Sequence, residues 1–142
     1  MVACTSKSPS GTIDAMQKRV DAVERQVEKL YNQDFNYLIG EFQALDTTIA
    51  RTKDISGEME LLQAYLQQFE SQRIVIKDNA RTSVKQLTNL KSDVKRYIYD
   101  NDTAARYIDD EENEIRVMEA QVKYFQEKLA AQKKVVKRLR KE

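Results

Sequence analysis

Apolar residues in the last third of the chain fall at Ile115, Met118, Val122, Phe125, Leu129, Val136 and Leu139, with Gln132 breaking an alternation of three- and four-residue steps. That alternation is a heptad seam, a narrow apolar stripe on a helix that is polar elsewhere. Such a stripe has to be covered by another helix. The first third repeats it through Ile13, Met16, Val20, Val23 and Val27, and again through Leu38, Phe42, Leu45 and Ile49. Between these two runs the steps lengthen through Tyr31 and Phe35, a phase change of the stutter type that locally unwinds a left-handed supercoil. Gly40 lies within it and predicts a close helix contact or slight bend. The middle third carries Met59, Leu62, Leu66, Phe69, Ile76, Val84, Leu87, Val94 and Ile98, and its regularity weakens at Arg73 and at Lys77-Asp78-Asn79.

Breaks are few. Asp54-Ile55-Ser56-Gly57 offers caps and backbone freedom, and Asp100-Asn101-Asp102-Thr103 offers residues that tolerate turn conformations. Thr12 is a candidate N-cap, with Asp14 in the first turn where the helix dipole favours an anion. The pattern therefore predicts an all-α fold with helices over about 13–54, 57–100 and 103–141, each roughly 60 Å long. Near-equal helices with short turns fold back on one another, giving a long antiparallel three-helix coiled-coil bundle, up-down-up. The architecture resembles that of spectrin-type repeats. A turn near residue 55 pairs the first two helices so that partner numbers sum to about 111. Phe42 then meets Phe69, Leu45 meets Leu66, Ile49 meets Leu62, and Asp34 meets Lys77. Self-association into a homo-oligomer is the alternative way to cover the stripes. The aromatics Tyr31, Phe35, Tyr37 and Phe42 read as core packing before they read as a ligand pocket.

Composition narrows the chemistry. The chain has 33% charged residues and only three Gly and one Pro, too few turn formers for a β-rich fold. It has no His and a single Cys, so the commonest general base is missing and an internal disulfide is excluded. No Gly-rich phosphate loop, metal-ligand spacing or paired carboxylate motif stands out, and a non-enzymatic role without cofactor or metal is expected. The net charge of +1 gives no bulk field for nucleic acid, which is not expected as a partner. No apolar run reaches the ~18 residues of a membrane-spanning helix.

Charge is instead segregated along the third helix. Asp109, Asp110, Glu111, Glu112 and Glu114 lie near its start, and Lys133, Lys134, Lys137, Arg138, Arg140 and Lys141 near its end. The acidic run complements the helix dipole. The basic run exceeds what the dipole uses, because that effect fades within the last turn. It is the candidate site for an anionic partner: cell wall, membrane surface or acidic protein.

Residues 1–12, MVACTSKSPSGT, read as a flexible polar tether ahead of a single helical domain over 13–142. Its head, Met1-Val2-Ala3-Cys4, resembles the lipobox of bacterial lipoproteins. In those, small or apolar residues precede a Cys that becomes lipidated and N-terminal after cleavage. The resemblance implies a leader ahead of Met1, acyl chains on Cys4 and attachment to a membrane through them. Thr5, in place of an inner-membrane retention Asp, implies the periplasmic side of the outer membrane. The function expected on this basis is a lipid-anchored helical rod serving as a structural or scaffolding protein of a cell envelope. The alternatives are a periplasmic holdase-type chaperone with helical arms, or a cytoplasmic coiled-coil adaptor.

Overall fold

The computed structural model describes residues 8–46 and 55–141, and among these the chain is all-helical, in three helices with no strand. The first is α-helical over Pro9–Lys29, π-helical over Leu30–Phe35 and α-helical again over Asn36–Ala44. The second is Ser56–Lys95 and the third Asn101–Lys141. The expected end of the first helix near 54, the contact between Ile49 and Leu62, and the head of the tether all involve residues outside those described.

The helix ends differ from the sequence reading for identifiable reasons. The first helix starts at Pro9, ahead of the expected Ile13, because Ser8 caps it. The Gly11 N–H donates to the Ser8 hydroxyl at 3.1 Å and the Thr12 N–H to the Ser8 carbonyl at 2.9 Å. Pro9 then takes the first helical position, where a missing N–H costs nothing. The second helix ends at Lys95, ahead of the expected residue 100. The Ile98 N–H bonds to the Asp93 carbonyl at 3.0 Å and the Tyr97 N–H to the Val94 carbonyl at 3.1 Å. These are the paired bonds of a Schellman terminus. Tyr97 occupies its left-handed position with φ 56, where a β-carbon costs about 1–2 kcal/mol. Ile98, expected on the seam, is therefore exposed. Asp100, expected within a turn running to Thr103, caps the third helix by accepting the Thr103 N–H at 2.7 Å. That bond holds its carboxyl below the usual range. The second helix continues unbroken through Lys77, Asp78 and Asn79.

The chain divides into two compact units, Met1–Glu24 with Ile76–Ala120, and Arg25–Val75 with Gln121–Glu142. In the first unit the buried seam is Ile13, Met16, Val20 and Val23 from the first helix, Ile76, Ala80, Ser83, Leu87 and Leu90 from the second, and Ala104, Ile115 and Met118 from the third. Ser83 replaces the expected Val84 on this seam, since the helix keeps strict heptad phase from Met59 onward. Ala80 and Ser83 are small, and a groove of about 340 Å³ opens beside Ser83 and Met118. Around the seam Lys91 pairs with Asp14, Gln17 donates to Thr88, and Arg19 bridges Glu112 and Glu119. The guanidinium of Arg19 holds the Glu119 carboxyl down, and Lys91 does the same for Asp14.

In the second unit, one phenylalanine from each helix meets in a single layer. The rings of Phe35 and Phe69 are 5.4 Å apart, and those of Phe69 and Phe125 are 5.5 Å apart, edge to face. Tyr31 stacks on Phe35 at 5.2 Å; of the four aromatics expected in the core, Phe35 is buried and Tyr31, Tyr37 and Phe42 are half-buried. The ring beside Phe69 is Phe35, one heptad before the expected Phe42. Asp34 pairs with Lys133 of the third helix, where Lys77 was expected. The phase change is realised as the π turn Leu30–Phe35, whose wider ring absorbs one extra residue and brings Phe35 onto the seam. Gly40 is not a close contact: a β-carbon built there meets nothing within 4 Å.

Candidate functional site: the basic helix end

The basic end belongs to the second unit and is built on the last turns of the third helix. Val136 and Leu139 are buried on its inner side, with Gln132 a buried polar member of the same seam. This burial fixes which way every neighbouring cation points. Lys133, next to the seam, donates to Asp34 Oδ1 at 3.0 Å, and its ammonium lies 5.3 Å from the centre of the Tyr37 ring. Arg140, also flanking the seam, grips Glu41 with bonds of 2.8 and 2.7 Å, and the Glu41 side chain is only 13% exposed. These two cations are committed to holding the third helix against the first.

Lys134, Lys137, Arg138 and Lys141 are exposed. Their spacing, with steps of three and four between Lys134, Lys137 or Arg138, and Lys141, places them on one helical face. No ion pair among the described residues uses them. The six cations read from the sequence thus divide into two that pack and four that form a solvent-facing stripe. Such a stripe can engage phosphate or carboxylate groups as an array of point charges, with Arg138 able to form the planar two-bond contact.

Sequence reasoning did not find the partners Asp34 and Glu41, which decide this division. The signal was present: both acids lie one heptad apart on the first helix, as Lys133 and Arg140 do on the third. Cys4, the other candidate residue, lies outside the described residues. Among the described residues no cluster of three His, Cys, Asp or Glu could hold a metal, and no helix is long and apolar enough to cross a membrane. No family model matches the chain, and comparison with curated proteins and with solved structures likewise finds no match.

Proposed function

We propose that the protein is a lipid-anchored helical scaffold of a bacterial cell envelope, non-catalytic, folded as an antiparallel up-down-up three-helix coiled coil. Its exposed cationic face engages an anionic surface, with the carboxylates of the cell wall the first to test. The observation that carries the reading is the division of the basic end. Lys133 and Arg140 are spent on Asp34 and Glu41, while Lys134, Lys137, Arg138 and Lys141 share one open face. These four exposed cations, within the last eight residues of the helix, exceed what the helix dipole uses, because that effect fades within the last turn. The antiparallel order is supported by partner numbers that run in opposite senses on the first two helices, Asp14 with Lys91 and Glu28 with Arg73. It is supported also by Asp34 with Lys133 and Glu41 with Arg140, where they run together. Anchoring rests on the lipobox resemblance of Met1-Val2-Ala3-Cys4, and placement at the outer membrane on Thr5.

Pull-down by purified cell wall at low salt tests the reading. Replacing Lys134, Lys137, Arg138 and Lys141 with Gln abolishes binding without lowering thermal stability. Binding by the parent weakens as salt shortens the screening length to about 8 Å at physiological strength. Replacing Lys133 and Arg140 instead lowers stability by about 1 kcal/mol and leaves binding largely intact. A parent protein that binds no cell wall at low salt refutes the cationic site. A protein recovered from its native membrane whose intact mass carries no acyl chain on Cys4 refutes the anchor.

A further inference from the structure

The turn Arg96–Asp100, in the first unit, presents side chains that the packing of that unit does not use. Tyr97 is held in a left-handed conformation better suited to Gly or Asn, yet its side chain is 90% exposed. A strained residue that contributes no burial to the fold directs attention to function. Ile98 follows at 54% exposure, and Tyr107 at 41% stands edge-on to Tyr99 with ring centres 4.9 Å apart. Lys95 and Arg96, both exposed, immediately precede this apolar tip. Of the acids around it, Asp100 is occupied by the Thr103 N–H and Asp93 accepts a long bond from the Tyr99 hydroxyl, while Asp102 stays exposed.

The beginning of the first helix lies at the same end of this unit. Asp14, in its second turn, pairs with Lys91, near the end of the second helix. Cys4 precedes Ser8 by four residues, a reach of at most about 14 Å. We propose that Tyr97 and Ile98 insert into the headgroup boundary of a lipid bilayer, with Lys95 and Arg96 reaching its phosphates. Tyr suits that boundary because its ring is apolar and its hydroxyl is not, and long cationic side chains extend from apolar surroundings to the headgroups. A protein partner fits the tip less well. A stable interface buries about 800 Å² on each side, whereas two protruding side chains supply a small part of that. A bilayer needs only the tip. This contact goes beyond the acyl anchor, because it requires no modification of Cys4.

The test uses the full chain with Cys4→Ser and with Lys134, Lys137, Arg138 and Lys141 changed to Gln, so that neither an acyl chain nor the basic helix end contributes. The sequence contains no Trp, so Tyr97→Trp introduces a single reporter. With vesicles of phosphatidylethanolamine and phosphatidylglycerol its emission shifts to the blue and is quenched by brominated acyl chains. A Tyr124→Trp reporter in the other unit is unaffected. Tyr97→Asn combined with Ile98→Ser keeps a residue tolerant of the left-handed conformation. It lowers vesicle partitioning about tenfold or more, with helicity and melting temperature unchanged. Three results overturn the proposal. The reporter at position 97 ignores vesicles; the double variant partitions like the parent; or the blue shift appears without vesicles as protein concentration rises, which makes the tip a contact with a second copy.

Discussion

Glu111 stands where the third helix should carry an apolar residue. The heptad that buries Ala104, Ile115, Met118 and Val122 passes through position 111. One carboxylate oxygen of Glu111 is buried without a hydrogen-bond partner. Desolvation, reinforced by the charges of Glu114 and Asp110, pushes its carboxyl up from the ordinary 4.5 to about 7. The unfolded chain releases this proton near pH 4.5 and the folded chain near 7. Between those values the folded state binds more protons, so stability falls as pH rises through the interval and levels off above it. At ~1.4 kcal/mol per unit the ceiling is about 3 kcal/mol, and the residual solvent around a half-buried group reduces it to about 1–2 kcal/mol. Asp14, Asp100 and Glu119 act in the opposite sense, since their carboxyls are held down by Lys91, the Thr103 N–H and Arg19. Their contribution is lost only as pH falls below the ordinary carboxylate range, outside this window. Urea unfolding followed by circular dichroism at several pH values from 4.5 to 8 therefore shows a decline in the parent. Glu111→Gln flattens the decline, and Glu111→Leu flattens it and raises stability at pH 8 by about 2–3 kcal/mol, adding the gain of apolar burial. Equal slopes in the parent and in Glu111→Gln would mean that the carboxylate is solvated, and the assignment of position 111 to the seam would be wrong.

Two further outcomes check the packing. Phe35→Ala and Phe69→Ala each cost about 3–5 kcal/mol, and their double-mutant cycle shows a coupling of about 1 kcal/mol, whereas Phe42→Ala and Phe69→Ala add; coupling in the second pair and none in the first would move the register by one heptad. Gly40→Ala raises stability by about 1 kcal/mol, because the position is helical and a β-carbon meets no neighbour; a loss of stability in the same unfolding assay would show that the helix face there is covered.

The heptad pattern made the three helices and most of their buried residues legible, because a stripe at a 3.5-residue period has one efficient use. What it concealed were positions where polarity and burial part company. Arg73, Ser83, Glu111 and Gln132 all lie in phase with the seam; Arg73 and Gln132 read as interruptions of it, and reading only apolar letters stepped past Ser83 and Glu111. The second turn was misplaced because the run Asp100 to Thr103 looks like a turn, whereas the residue that ends the second helix in the left-handed region is a Tyr, which is disfavoured there. Ser8-Pro9 is a strong start signal, a cap followed by a ring already set for the first helical position, but it sat inside a Ser-rich stretch that reads as tether. At the basic end the residues were legible and their division was not. It depends on which acids the first helix offers, which in turn depends on register.

Register is the quantity that heptads determine least. Sliding one helix past another by seven residues returns apolar residues to apolar partners, so Phe42 against Phe69 and Phe35 against Phe69 look equally good on paper. The distinction comes from polar groups. In the observed register Arg73 places its guanidinium 3.9 Å from the centre of the Tyr31 ring and 3.8 Å from Glu28. Its Nε is buried without a partner, so the residue is a net liability anywhere less well provided. Displacing the second helix by one heptad would take Arg73 from Tyr31 and Glu28 and separate Lys91 from Asp14. Each exposed ion pair contributes at most about 1 kcal/mol, but a guanidinium left in the seam without its partners costs several. The π turn completes the argument. By absorbing one residue it turns Asp34 aside to meet Lys133 and brings Phe35 in to meet Phe69. A strict heptad through this segment would have put the carboxylate of Asp34 on the seam. The polar positions on the seam thus add little stability and much specificity, and the coupling between Phe35 and Phe69 is the quantity through which that specificity can be read.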